Sequence, residues 1–93
     1  MRGQGRRIYS DAEFDQQVAA LGGYEKLDPA LNPVIDGLYD DPYGYPIIQN
    51  DWISLRRYAR TIPQNGLPGF VVTFVIQEDG TIELCEIWPD EDY

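Results

Sequence analysis

The chain has 93 residues, with sixteen acidic and seven basic side chains, no histidine, and a net charge of −9. This length allows one domain with a single modest core, and the charge opposes direct binding to nucleic acid, which relies on Lys and Arg to neutralise phosphates. One cysteine, Cys85, excludes an internal disulfide, and without histidine no Cys/His metal set forms. No stretch approaches the roughly 20 apolar residues of a membrane span, and no apolar run follows the first arginines, so the expectation is a cytoplasmic protein with no membrane attachment.

In chain order, Met1–Gly5 carries two glycines and reads as a loose end. Arg6–Tyr9 fits a short edge strand. Ser10-Asp11-Ala12-Glu13 fits a capping box, with the Ser10 hydroxyl accepting from the Glu13 N–H. Phe14, Val18 and Leu21 then form the stripe of an amphipathic helix over Asp11–Leu21, and Gly22-Gly23 supplies a left-handed stop. A second stripe, Leu31, Ile35 and Leu38, has two starts open to it. Asp28 can cap with Pro29 in the first turn, or Asn32 can cap with Pro33 in the first turn. An interior proline removes a hydrogen bond and clashes with the preceding turn. The preferred reading is therefore a helix over Pro33–Tyr39 with Asp28–Leu31 as a turn. Gly37 inside it costs up to about 1 kcal/mol relative to Ala.

Asp40–Pro46 is loop by composition, with two prolines and a glycine, and Ile47 and Ile48 are expected to dock it. The last third reads as three antiparallel strands. Ile53–Ile62 is the first, and Gly69–Ile76 and Thr81–Trp88 form a hairpin through Asp79-Gly80, where glycine takes the positive φ the turn needs. In the middle strand Phe70, Val72, Phe74 and Ile76 share one face, and Val71, Thr73 and Val75 share the other. The expected architecture is α+β. Two N-terminal helices pack on a small antiparallel sheet formed mainly by the C-terminal half, in a single domain 1–93 that ends in an acidic tail, 89–93.

Catalytic chemistry is hard to assemble from these residues. The side chain best suited to proton transfer near neutral pH is missing. The acidic pairs Asp40/Asp41, Glu78/Asp79 and Asp90/Glu91/Asp92 fall in turns or the tail, where they are solvated. Glu83 and Glu86 are spaced to lie on opposite faces of a strand, so no metal site is expected, and no cofactor motif is present. Cys85 reads as a small buried apolar residue. The one basic focus is Arg56, Arg57 and Arg60, with Arg56 and Arg60 on one strand face and Arg57 opposite. Such guanidinium groups clamp phosphates, hold a partner's carboxylates, or pair with the protein's own acids. Tyr58, with Tyr43, Tyr45 and Trp52, either stacks on bases or fills core and lid positions.

Several phrases, taken in order, resemble the RelE/ParE superfamily of toxins from type II toxin–antitoxin systems. Asp41-Pro42-Tyr43-Gly44 is similar to the phrase that follows the family's second helix, and Leu55-Arg56-Arg57-Tyr58 to its arginine-containing strand. Phe70-Val71-Val72-Thr73-Phe74 and Asp79-Gly80-Thr81-Ile82-Glu83-Leu84 are similar to its closing hairpin. The resemblance implies a helical hairpin on a sheet and an antitoxin-like protein partner. It also implies either a protein target such as a gyrase or mRNA cleavage on the ribosome. Departures bear on the last of these: Val71 stands where an arginine is common, and the chain ends Pro89-Asp90-Glu91-Asp92-Tyr93 in place of a His or Tyr among basic residues. Tyr93 is the candidate for the terminal aromatic. The expectation is a toxin-like protein with the ribonuclease residues lost, nucleic acid being reached only through a ribosome. The alternatives are a non-toxic acidic binding module on the same fold, or an mRNA endonuclease using Arg56, Arg57 and Arg60 with Tyr58 beside them.

Overall fold

The computed structural model describes residues 7–50, 55–64 and 66–90. Trp52, Tyr93, the N-terminal residues 1–5 and the end of the expected tail lie outside them. Strand β1 (Ile8–Ser10) leads into helix α1 (Ala12–Ala20) and helix α2 (Tyr24–Asp40). A single 3₁₀ turn (Pro42–Gly44) precedes β2 (Ile47–Asn50), β3 (Leu55–Arg60), β4 (Phe70–Ile76) and β5 (Ile82–Pro89). The five strands form one sheet in the order β1-β5-β4-β3-β2. The fold is α+β, as the hydrophobic pattern implies, but the sheet is larger than three antiparallel strands. Ile47 and Ile48 belong to an antiparallel edge strand, and β1 pairs in parallel with β5.

The capping of α1 differs from expectation. Asp11, not Ser10, is the N-cap: its extended backbone (φ −82°, ψ 170°) lets Oδ1 accept from the Phe14 N–H at 2.9 Å. Ser10 belongs to β1, and its hydroxyl donates to Asp15 Oδ1 at 2.6 Å. The Tyr24 hydroxyl donates to the same oxygen at 2.5 Å, which ties the start of α2 to the first turn of α1. Gly22 and Gly23 both take positive φ (128° and 95°), so the chain reverses between the helices at the two residues without a Cβ to resist it.

The second helix is longer than expected and carries both Pro29 and Pro33 in its interior. Its buried stripe, Leu27, Ala30, Leu31, Val34 and Leu38, runs through both prolines. Each fully buried aliphatic side chain is worth about 1.5–3 kcal/mol, so the stripe outweighs a cost of about 3 kcal/mol per proline. One consequence of Pro33 is also repaired. The Pro29 carbonyl, which would bond to an N–H at position 33, accepts instead from Gln64 Nε2 at 3.0 Å. Gly37 has a packing role: a methyl group there would collide with the Tyr45 hydroxyl. The Tyr45 ring packs edge-on against Phe74, with centroids 5.6 Å apart, so it wedges between α2 and the sheet.

The core lies on one face of the sheet. Phe14 and Val18 of α1 and the α2 stripe pack against Ala59, Phe70, Val72, Phe74, Ile82, Leu84 and Ile87. β4 is the central strand, and the Gly80 turn (φ 88°) closes it onto β5 as the Asp79-Gly80 signal implies. The outer edge of β5 is covered in two ways. β1 pairs along Ile82–Leu84, and beyond it the Ile87 N–H donates to Gln17 Oε1 of α1 at 2.8 Å. The opposite edge, β2, carries Ile47 at 48% and Ile48 at 44% exposure. Among the described residues, no helix is long and apolar enough to cross a membrane.

Candidate functional site

The helices cover one face of the sheet; the other is organised by three cross-strand rows. Strand pairing places Arg56, Val75 and Glu83 in the first row, Tyr58, Thr73 and Glu86 in the second, and Arg60, Val71 and Trp88 in the third. In each row a small β4 residue lies between longer ones from β3 and β5. The result is a trough with β4 as its floor. Among the described residues no helix lies above Val71 and Thr73, and they are buried, at 7% and 1% exposure, because the flanking side chains enclose them.

A bulge sets this arrangement. Phe74 pairs with Leu84 but Thr73 pairs with Glu86, which leaves Cys85 as the extra residue on β5. The alternation therefore slips by one, and Glu83 and Glu86 come to the same face. The expectation from their spacing, opposite faces, fails for this reason. The two do not make a metal centre: among the described residues no three His, Cys, Asp or Glu converge as ligands. Cys85 is buried at the bulge, as its residue type suggests, and burial pushes its thiol from the ordinary 9.0 up to about 11, with Arg56 opposing the rise.

The three arginines of β3 divide between the faces as the strand period requires, and each is engaged by the protein itself. Arg56 reaches diagonally across β4 to Glu86, Nη1 to Oε1 2.9 Å, with both side chains about one-third exposed (30% and 32%). The Thr73 hydroxyl donates to the same Oε1 at 3.4 Å. Arg57 points to the helical side, where Nη1 donates to the backbone carbonyls of Tyr45 at 2.7 Å and Tyr43 at 3.2 Å, and its guanidinium lies 5.7 Å from the centre of the Tyr43 ring. Arg60 pairs through Nε with Asp90 Oδ2 at 3.2 Å; the Arg60 side chain is half exposed (48%) while that of Asp90 is almost fully buried (3%). The Asp90 N–H also bonds to the Gly69 carbonyl at 2.8 Å, and Pro89 ends β5, so the first part of the expected acidic tail is part of the folded sheet.

The Arg56–Glu86 bridge crosses the middle of the trough and leaves a depression at each end. One, of roughly 770 Å³, is lined by Ile47, Ile48, Tyr58, Arg60, Val71 and Trp88, and closed by Pro89 and Asp90. The other, of roughly 680 Å³, lies beside the β4–β5 turn, where Leu55, Val75 and Ile76 meet the carboxylates Glu78, Asp79 and Glu83. Asp79 is held below the usual carboxylate range, first by the Thr81 backbone N–H that donates to it at 2.9 Å, so it is charged at neutral pH. One end of the face thus sets large aliphatic and aromatic side chains beside the Arg60–Asp90 pair, and the other gathers carboxylates.

Of the residues singled out in the sequence, Arg56, Arg60 and Tyr58 meet on this face, and Arg57 does not. Tyr43 and Tyr45 lie with Arg57 on the helical side, and Tyr45 serves as a wedge in the packing. Glu86, Asp90, Trp88, Ile47 and Ile48 are the site residues that the sequence reading missed. The exposed isoleucines and Trp88 carried a signal, as large apolar residues at strand ends; the roles of Glu86 and Asp90 depend on the bulge and on long-range pairing. No protein-family model, curated protein or solved structure matches the chain.

Proposed function

We propose that this chain is a toxin-like protein of the RelE/ParE kind that acts by holding partner proteins and does not cut RNA. The partners in this reading are an antitoxin-like protein and, where the chain is toxic, a protein target such as a gyrase. The observation that carries it is the engagement of the β3 arginines, above all of Arg57, which is turned to the helical side, and of Arg60, which is tied to a buried carboxylate. Arg56 is bridged to Glu86, Arg57 to two backbone carbonyls, and Arg60 to the buried Asp90. Clamping a scissile phosphate requires guanidinium groups free to follow developing negative charge. Withdrawing Arg60 would also leave the Asp90 carboxylate buried without that cation, a state that costs several kcal/mol in typical proteins. With no histidine in the chain, the side chain best suited to proton transfer near neutral pH is also missing.

The net charge of −9 favours a second reading, a non-toxic acidic module on the same fold that engages a basic partner. Inducing the chain alone in a bacterial host, with total mRNA examined for cleavage, separates these. Growth arrest with intact mRNA is the expected result. Unimpaired growth at good expression would favour the non-toxic module, and arrest with cut mRNA that disappears in Arg60→Ala would contradict both.

A further inference from the structure

The open face has two chemically different ends on one continuous trough, and their separation is fixed by the strand. One depression centres on Val71 and Trp88, with Ile47, Ile48 and the Arg60–Asp90 pair around them, and the other, the acidic one, on Val75 and Glu83. Val71 and Val75 are four residues apart on β4, so the two centres lie about 13 Å apart at roughly 3.3 Å per residue. Four of the eight exposed large apolar and aromatic side chains among the described residues, Ile47, Ile48, Leu55 and Trp88, line these two depressions. Tyr58, Arg60 and Trp88 belong to the residue types that dominate binding energy at protein interfaces.

We propose that the trough is a docking site for a segment of a partner protein that carries an apolar anchor and, about 13 Å away, one or more Lys or Arg side chains. The anchor enters the depression beneath Ile47, Ile48 and Trp88, and the basic residues meet Glu78, Asp79 and Glu83. This rests on the reading of the chain as a partner-binding protein and names the chemistry of the partner. Charge complementarity selects it over the other occupants of such a face. Among the described residues, Arg56 and Arg60 of the trough are already paired with Glu86 and Asp90, and the one further cation acting on the acidic end, Arg7 near Asp79, is outnumbered by Glu78, Asp79 and Glu83, which set the sign of the field that an incoming segment meets. A nucleic acid would bring phosphates against that field, and a second copy would bring another −9. An extended basic segment meets neither penalty and exploits the same −9 at long range.

The test uses the full chain and a phage-displayed library of random peptides of about 12 residues, long enough to span the trough in extended form. Enriched sequences, synthesised and measured by fluorescence anisotropy, are expected to place an apolar residue about four positions from Lys or Arg. Affinity is expected to fall about tenfold with Ile48→Ser/Trp88→Ser and about tenfold with Glu78→Lys/Glu83→Lys. The acidic-end variant should also lose most of the salt dependence that wild type shows. Circular dichroism melts of both variants confirm that the fold is retained. Enriched peptides without basic residues, or affinities unchanged by both variant pairs, would overturn the proposal. So would retention of a single-stranded RNA oligonucleotide at physiological salt, or self-association abolished by Ile48→Ser. None of these results bears on mRNA integrity after induction, so the broader reading stands or falls separately.

Discussion

The two faces of the central strand are both largely buried, but by different kinds of cover. On the helical side Phe70, Val72 and Phe74 are buried by α1 and α2. On the open side Val71 and Thr73 are buried almost as deeply with no described element above them, enclosed by arginine, tyrosine, glutamate and tryptophan from the adjacent strands. Burial therefore does not distinguish structure from function in this molecule. What distinguishes them is the cover: helices that fix the fold on one side, and long polar and aromatic side chains that line a trough on the other. The first kind of cover is specified by volume and the second by charge and reach.

Perturbing the helical side should have the largest effect. Phe74→Ala removes a fully buried ring and the edge that Tyr45 packs on, and should cost about 3–5 kcal/mol, read as a lower urea midpoint. Cys85 sharpens the comparison, because it belongs to the bulge that shapes the open side and yet is buried. Its thiol titrates at about 11 in place of 9.0, so at pH 8 the reactive thiolate is about a hundredfold scarcer. The higher nucleophilicity of a high-pKa thiolate offsets part of that scarcity, so labelling by a disulfide reagent at pH 8 should be slower than that of a free thiol by at least about tenfold, and rise to the ordinary rate in denaturant. Next in size is Gly37→Ala. It improves helix propensity by up to about 1 kcal/mol but collides with the Tyr45 hydroxyl, for a net loss of about 1–3 kcal/mol. Gly37→Ala/Tyr45→Phe should recover part of that loss in a thermal melt. Asp11→Ala should cost about 1 kcal/mol by removing the α1 cap. Ser10→Ala should cost less in the same melt, which is the reverse of the order a Ser10 capping box requires. The smallest effect belongs to the open side: a double-mutant cycle on Arg56 and Glu86 should return a coupling below about 1 kcal/mol, because both side chains are partly exposed.

The parts of the fold that were legible in the sequence are those set by local chemistry. The Phe14–Val18 stripe, the paired glycines after α1, the Asp79-Gly80 turn and the two faces of β4 follow from periodicity and backbone freedom. The full length of α2 was not legible, because its two prolines carry a local signal against helix and the contacts that override it are distant. Five buried side chains and a carbonyl bond from Gln64, 35 positions downstream of Pro29, decide the matter, and such a contact has no local signature. The parallel β1–β5 pair is equally non-local. At the site, the division of Arg56 and Arg60 from Arg57 could be read from the strand period, but their partners could not. Glu86 reaches Arg56 only because of the bulge at Cys85, and Asp90 reaches Arg60 only because β5 continues through Pro89. A single inserted residue moved a carboxylate from one face of the sheet to the other.

The measurement that tests the division between the faces most directly is the unfolding free energy of one variant, Ile48→Ser/Trp88→Ser/Glu78→Lys/Glu83→Lys, set beside Phe74→Ala. The expected result is a four-site variant within about 2 kcal/mol of wild type, as substitutions at partly exposed positions usually are, and well above the core variant. A loss equal to that of Phe74→Ala would show that the trough is a second core, and would contradict the account of it as a surface kept for a partner.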